Sequence, residues 1–180
     1  MVKKLEGNLD HLRKVEILEA ALHCFLKYGF AKTSMDDIAR QANLSRPLIY
    51  LKFKSKNDLF LGVMTYLTEG TLERAAAVLA QKLSKRDKLL QIYEILLLEP
   101  WDKVVDHPMT AGFYQVCCDR WPEITNKQER QWGKILQTIL GDREVTEVFM
   151  LAIEGLQSDL PPTKRLRRRI KLLCDHFCPP

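Results

Sequence analysis

Apolar residues recur at intervals of three and four along almost the whole chain, and the apolar/polar alternation of strands is missing, so the pattern predicts an all-α protein. Val15, Leu18, Leu22 and Phe25 form one stripe. They predict a helix from about Asp10 to Tyr28, stopped by Gly29. Ser34 with Asp37 three residues on makes a capping box, which starts a short second helix ending near Gln41. Ala42-Asn43-Leu44 supplies a tight turn, because Asn tolerates the left-handed backbone. Ser45 is placed to cap a third helix over Arg46 to about Leu51, and Pro47 fits only its first turn. Ser55 with Asp58 repeats the capping pattern and opens a fourth helix.

Beyond this compact trihelical unit the helices lengthen. Helical stretches are expected over about 57–82, 86–105, 108–119, 123–140, 144–158 and 163–177, punctuated by Ser84-Lys85, His107-Pro108, Trp121-Pro122, Gly141-Asp142 and Pro161-Pro162. The reading is therefore about nine helices in two domains, residues 1–57 and 58–180. Successive stripes on the last two helices have the form of a bundle interface: Val145, Phe149 and Ile153 on one, Leu166, Ile170, Leu173 and Phe177 on the other. The same stripes would also serve a monomeric core.

Composition narrows the class without changing this picture. With 180 residues, 46% hydrophobic and 28% charged, the chain is expected to be globular rather than disordered. Its longest apolar run, Val148 to Ile153, is far short of the ~20 residues that cross a bilayer, and the N-terminus has no apolar leader. A soluble, cytoplasmic protein is the expectation. Five cysteines, odd in number and irregularly spaced, point to reduced thiols rather than a disulfide framework.

Charge is distributed unevenly. Of the net +5, most sits in the first sixty residues, which hold eleven basic and seven acidic side chains. Arg40, Arg46, Lys52, Lys54 and Lys56 fall within residues 38–57, a stretch with no acid. That stretch is the first candidate for a phosphate-facing surface.

Two short helices joined by a three-residue turn, the second preceded by Ser and edged with cations, form the pattern of a helix-turn-helix. Arg46 suits a guanine edge, Pro47 and Leu48 suit thymine methyls, and Tyr50, Lys52, Lys54 and Lys56 are spaced for phosphates. Packing of Tyr50 into the trihelical core and simple solvation of Lys54 are the competing readings.

The ordered set Ile17-Leu18-x-Ala20-Ala21, Phe25, Tyr28-Gly29-Phe30, Thr33, Ile38-Ala39, Ala42, Leu44-Ser45, Tyr50, Phe53 and Ser55-Lys56-x-x-Leu59 resembles the DNA-binding domain of the TetR/AcrR family of bacterial transcriptional regulators. The resemblance covers Ile17 to Leu61 and departs from the family at Asn43, where Gly is usual. It implies that Arg46, Pro47 and Leu48 read bases, that Tyr50 and Lys52 touch phosphate or base edges, and that Thr33 and Lys56 anchor the backbone from helix N-termini. It further implies a homodimer on a palindromic operator, more often repressing than activating, whose last two helices form the interface. Middle helices in that family enclose a pocket for a small-molecule effector.

In the middle of this chain Trp101, Met109, Phe113, Tyr114 and Trp121 are candidates for such a lining, although aromatics at helical spacing also simply fill cores. The basic run from Lys164 to Lys171 is interleaved by Leu166 and Ile170, which favours the polar face of a packed helix over a nucleic-acid patch. Cys117-Cys118 and the Cys174, His176, Cys178 tail lack zinc spacing, so neither a metal nor a cofactor is expected. The four histidines are scattered and no phosphate loop or nucleophile elbow is present, so an enzyme is not expected. The alternative function is a helical ligand-binding or thiol redox-sensing protein that keeps the fold without specific DNA binding.

Overall fold

A computed structural model describes residues 2–178, with side chains from residue 9 onward. The described residues contain helices and no strand: α1 (Val2–Tyr28), α2 (Met35–Gln41), α3 (Arg46–Lys52), α4 (Lys56–Thr68), α5 (Thr71–Val78), α6 (Lys85–Tyr93), a π-helical turn (Glu94–Leu98), α7 (Glu99–Asp102), α8 (Thr110–Arg120), α9 (Pro122–Leu140), α10 (Arg143–Gln157) and α11 (Thr163–Phe177). They gather into two compact units. The first runs to Leu67 and includes His107–Val116; the second comprises Thr68–Asp106 and the chain from Cys117 onward.

In the first unit Leu18, Leu22 and Phe25 of the predicted α1 stripe are buried and Val15 is half-buried, while Ile17 and Ala21, outside that stripe, are also at zero exposure. Ile38 of α2, Ile49 of α3 and Phe60 and Val63 of α4 close over it, equally buried. Phe25, Phe30, Phe60 and Phe113 form a chain of rings with centroids 5.0–5.6 Å apart. Each such side chain contributes ~1.5–3 kcal/mol by burial, and the tilted ring pairs add to it. This cluster explains why the expected domain boundary at 57/58 is wrong: it would cut α4 after its second residue. The buried Leu59, Phe60, Val63 and Leu67 tie that helix to the N-terminal core, and Phe113 brings a later segment into it. Met109 N–H donates to the Leu26 carbonyl at 3.0 Å, capping α1 from the same segment.

Three other expectations need correction. Helix α1 starts at Val2 rather than near Asp10, since Gly7 alone does not stop a helix. The stretch 57–82 is two helices, because Gly70 takes φ 69° and breaks the run. The stretch 86–105 is interrupted by a π turn immediately before Pro100, whose missing N–H and bulky ring disfavour regular α-helix there.

In the second unit α10 packs on α9, and α11 packs on α6 and α10. Its core contains Leu89, Ile92, Tyr93, Leu136, Phe149, Leu166, Ile170 and Cys174. The indole N–H of Trp101 donates to the Pro161 carbonyl at 3.0 Å, fixing the α10–α11 connection. Phe149, Ile153, Leu166 and Ile170 were expected at an interface between chains, yet all are at most 3% exposed in a single chain. They fill its core. Phe177 packs edge-on to Phe149 at 5.0 Å, and Leu173 is half-buried. Val145 alone of that set is exposed, and it is joined by Val148, Leu151 and Leu172 at 56%, 66% and 59%. Half of the basic run is paired within the chain. Arg167 pairs with Glu94, Arg169 with Asp159, and Lys171 with Asp175.

Candidate nucleic-acid interface

The local sequence builds a rigid platform for α3. Ser34 accepts from the Asp37 N–H at 3.1 Å while the Asp37 carboxylate accepts from the Ser34 N–H at 2.9 Å, completing the capping box of α2. The Ser34 hydroxyl donates to the same carboxylate at 2.6 Å, and together with the Ser34 N–H it holds the Asp37 carboxyl below the ordinary carboxylate range, with Arg40 adding to them. At the other end Leu44 N–H donates to the Ala39 carbonyl and Asn43 N–H to the Arg40 carbonyl, at 3.0 and 3.1 Å. This paired closure requires a left-handed residue, and Asn43 takes φ 54°. Asparagine therefore serves the turn in place of glycine.

Ser45 stands at the N-cap of α3, but its hydroxyl makes no capping bond; the backbone carbonyl of Ser45 accepts from Leu48 and Ile49 instead. The hydroxyl stays exposed. Ile49 and Phe53, four residues apart, are buried at 0% and 4% and anchor the helix. Arg46, Pro47, Tyr50 and Leu51 lie on the opposite face and are exposed, as is Lys54 just past the end of the helix. Leu48 and Lys52 sit half-buried at its edges. Tyr50 is 40% exposed, which removes its packed-core reading. Leu51, 78% exposed, was missed in the sequence. Its signal was available: Leu51 stands two residues from both Ile49 and Phe53, off the stripe they define.

The cations on this face are not equally free. Arg46 lies 3.1 Å from Asp36 of α2 and 5.4 Å above the Tyr50 ring, so its guanidinium is held close to the helix surface. Lys52 is hydrogen-bonded to Asp10, joining the end of α3 to α1 and depressing the Asp10 carboxyl. Lys54 donates only its backbone N–H, to Asp58 at 2.8 Å, and its ammonium remains in solvent.

Two predicted anchors are internal fittings. The Lys56 ammonium donates to the carbonyls of Phe30 at 2.7 Å and Thr33 at 2.9 Å, and lies 4.5 Å from the Phe30 ring. It closes the turn after α1 and is occupied there. Thr33 is 2% exposed, its hydroxyl donating to Gly29 at 2.8 Å and sharing Cys24 at 3.2 Å. Such a side chain does not reach an outside phosphate.

The candidate lining residues divide between the two units. Met109, Phe113 and Tyr114 belong to the first unit, where Phe113 is core, whereas Trp101 and Trp121 belong to the second, where Trp101 is core. Two of the buried cysteines are held as protonated thiols. Burial pushes the Cys117 thiol up to about 11 and the Cys174 thiol up to about 12. No group of three or more His, Cys, Asp or Glu among the described residues could hold a metal, and no helix among them is long and apolar enough to cross a membrane.

This arrangement has counterparts. Residues 17–63 match the sequence family described as bacterial regulatory proteins, tetR family. The HTH-type transcriptional regulator YhgD of Bacillus subtilis is 40% identical over 63 residues, 35% of this chain and 33% of that protein. The probable acrEF/envCD operon repressor of Escherichia coli is 42% identical over 60 residues, 33% of this chain and 27% of that protein. The match thus spans about a third of the length of these curated relatives. Over nearly the whole chain the fold is shared with a transcriptional regulator from Pseudomonas aeruginosa, with TM-score 0.73 at 16% identity, covering 93% of this chain and 89% of that one.

Proposed function

We propose that the chain is a TetR-like, sequence-specific DNA-binding transcriptional regulator, a reading supported by the match of residues 17–63 to the tetR family of bacterial regulatory proteins. The observation that carries this reading is the exposed face of α3, where Arg46, Pro47, Tyr50 and Leu51 stand clear of a helix anchored by Ile49 and Phe53, with the exposed Lys54 just past its end. A slim helix start with a base-reading Arg, apolar groups for thymine methyls and a free ammonium suits a major groove ~12 Å wide.

One such helix spans few base pairs. The protein therefore acts as a homodimer on a palindrome, two copies of α3 entering successive major grooves ~34–36 Å apart. The exposed apolar positions of α10 and α11, Val148, Leu151 and Leu172, are the contact surface in this reading. It works in the cytoplasm as a repressor and is not an enzyme. A small-molecule effector releases it from DNA by binding better to the conformer whose recognition helices are misplaced, and only to the extent of that difference in affinity. A thiol switch is disfavoured, because burial keeps Cys117 and Cys174 protonated.

Selection of preferred duplexes from random DNA at two salt concentrations tests the proposal. Enrichment of a palindrome that persists at the higher salt is the expected result; salt-labile binding without enrichment overturns it.

A further inference from the structure

Helix α1 runs well beyond the segment matched to known regulators: the match begins at residue 17, whereas the helix begins at Val2. Leu9 to Lys14 are all exposed, and the first fully buried residue of the helix is Ile17, so core packing does not hold these earlier turns. One contact fixes them nonetheless. The ammonium of Lys52, the last residue of α3, donates to Asp10 from 42 positions away. The start of α1 is thereby fastened beside the end of the helix proposed to enter the groove.

Arg13 and Lys14 follow Asp10 at i+3 and i+4, which on an α-helix places the three side chains on one face. That face turns towards the body of the unit, since Ile17, next along it, is completely buried. Asp10 accepts its hydrogen bond from Lys52, and neither Arg13 nor Lys14 forms an ion pair among the described residues. Their charge is felt there all the same: the Asp10 carboxyl is lowered first by the Lys52 hydrogen bond and further by the charges of Lys52, Arg13 and Lys14. Three cations around one carboxylate leave a surplus of positive charge at the end of α3, two residues before the exposed Lys54. Other cations of the same unit are engaged internally, Arg40 by Asp37 and Lys56 by the Phe30 and Thr33 carbonyls.

We infer that Arg13 and Lys14 form a second phosphate-binding site, a clamp from α1 that grips the DNA backbone beside the groove occupied by α3 and is held in place by the bond between Asp10 and Lys52. Its ligand is the phosphodiester anion, which carries no base information. Neutralising phosphates releases condensed counterions, so the clamp strengthens binding to any duplex, most at low salt. This site rests on the DNA-binding reading above and widens the contact of each half-site beyond the helix-turn-helix.

The test uses the full chain and the palindrome it enriches from random DNA. Arg13→Gln with Lys14→Gln should lower the slope of log affinity against log salt by about two per protomer. Operator and random duplexes should weaken together, with the preference between them unchanged within about twofold. Both side chains are exposed, so the thermal midpoint should not move. Lys127→Gln with Arg130→Gln, at exposed positions of α9, removes the same charge from the second unit and should leave the slope nearly unaltered. Methylphosphonates placed singly along the operator locate the contact: the intact chain should lose affinity at about one or two phosphates in each half-site to which the Arg13 and Lys14 double variant is indifferent.

An unchanged slope in that variant, an equal fall in the α9 variant, or the same sensitive phosphates with both chains overturns the site. A changed operator preference also overturns it, because the two cations would then be reading bases. A palindrome enriched by the intact chain with an unmoved slope defeats the clamp alone. No enrichment at all defeats the DNA-binding reading, and the clamp with it.

Discussion

The cations around α3 divide by what already holds them. Lys54 is the free one, so Lys54→Ala should lower the slope of log affinity against log salt by about one per protomer, read from binding isotherms at several salt concentrations. Lys56→Ala should act differently. Removing an ammonium that closes the turn at the Phe30 and Thr33 carbonyls costs about 1–3 kcal/mol of stability, seen as a lowered thermal midpoint. Sequence spacing could not separate these two lysines, because both flank the same basic segment and only the fold brings the 30–33 turn up to Lys56. Arg46→Ala should relax discrimination at one base pair by ~1–3 kcal/mol, measured with single-substituted operators. Asp36, 3.1 Å from Arg46, competes with DNA for that guanidinium. Asp36→Ala should therefore tighten binding to random duplexes while leaving thermal stability nearly unchanged, since exposed ion pairs contribute little.

Helix starts and stops follow local rules, and they were the most readable features of the chain. The Ser34–Asp37 box, the Asn43 turn and the position of Pro47 in the first turn of α3 all depend on residues within five positions of one another. Ser34→Ala should cost about 1 kcal/mol in chemical denaturation. The carboxyls of Asp10, Asp37, Asp159 and Asp175 are depressed, chiefly by hydrogen bonds from Lys52, Ser34, Arg169 and Lys171 respectively. A depressed folded value means stability that is present above the ordinary carboxylate range and lost as pH falls through the folded values. Thermal midpoints should hold from pH 7 to 5 and fall below about pH 4. Less readable was the break at Gly70, because a lone glycine inside a helical pattern is tolerated as often as it interrupts. Gly62 marks a different constraint: a Cβ there would lie 2.8 Å from the Phe53 ring and 3.0 Å from Leu18. It lets α4 approach α1 and the end of α3.

An interface between chains requires apolar surface left over after each chain has folded, and in the proposed reading the exposed Val148, Leu151 and Leu172 of the last two helices supply it. The double substitution Val148→Glu with Leu151→Glu should give a folded monomer in sedimentation, with DNA affinity reduced through loss of the paired half-sites. Phe149→Asp, one residue along the same helix, should instead unfold the second unit, because it places a charge at a fully buried position. If both variants remained dimeric and folded, the interface would lie elsewhere.

Helical class, the helix-turn-helix and its basic segment were determined by sequence alone, since periodicity, caps and turn residues act over a few positions of chain. Tertiary structure alone decided which apolar stripe is core and which is surface. Ile153 and Leu151 sit two residues apart on α10 with similar hydrophobicity, and only packing against α9 and α11 buries one and exposes the other. The same holds for Lys52 and Lys56, whose partners Asp10 and Phe30 lie 42 and 26 residues away along the chain. Burial and hydrogen-bond partnership are properties of neighbours in space, which a pattern along the chain records only when those neighbours are also close in sequence.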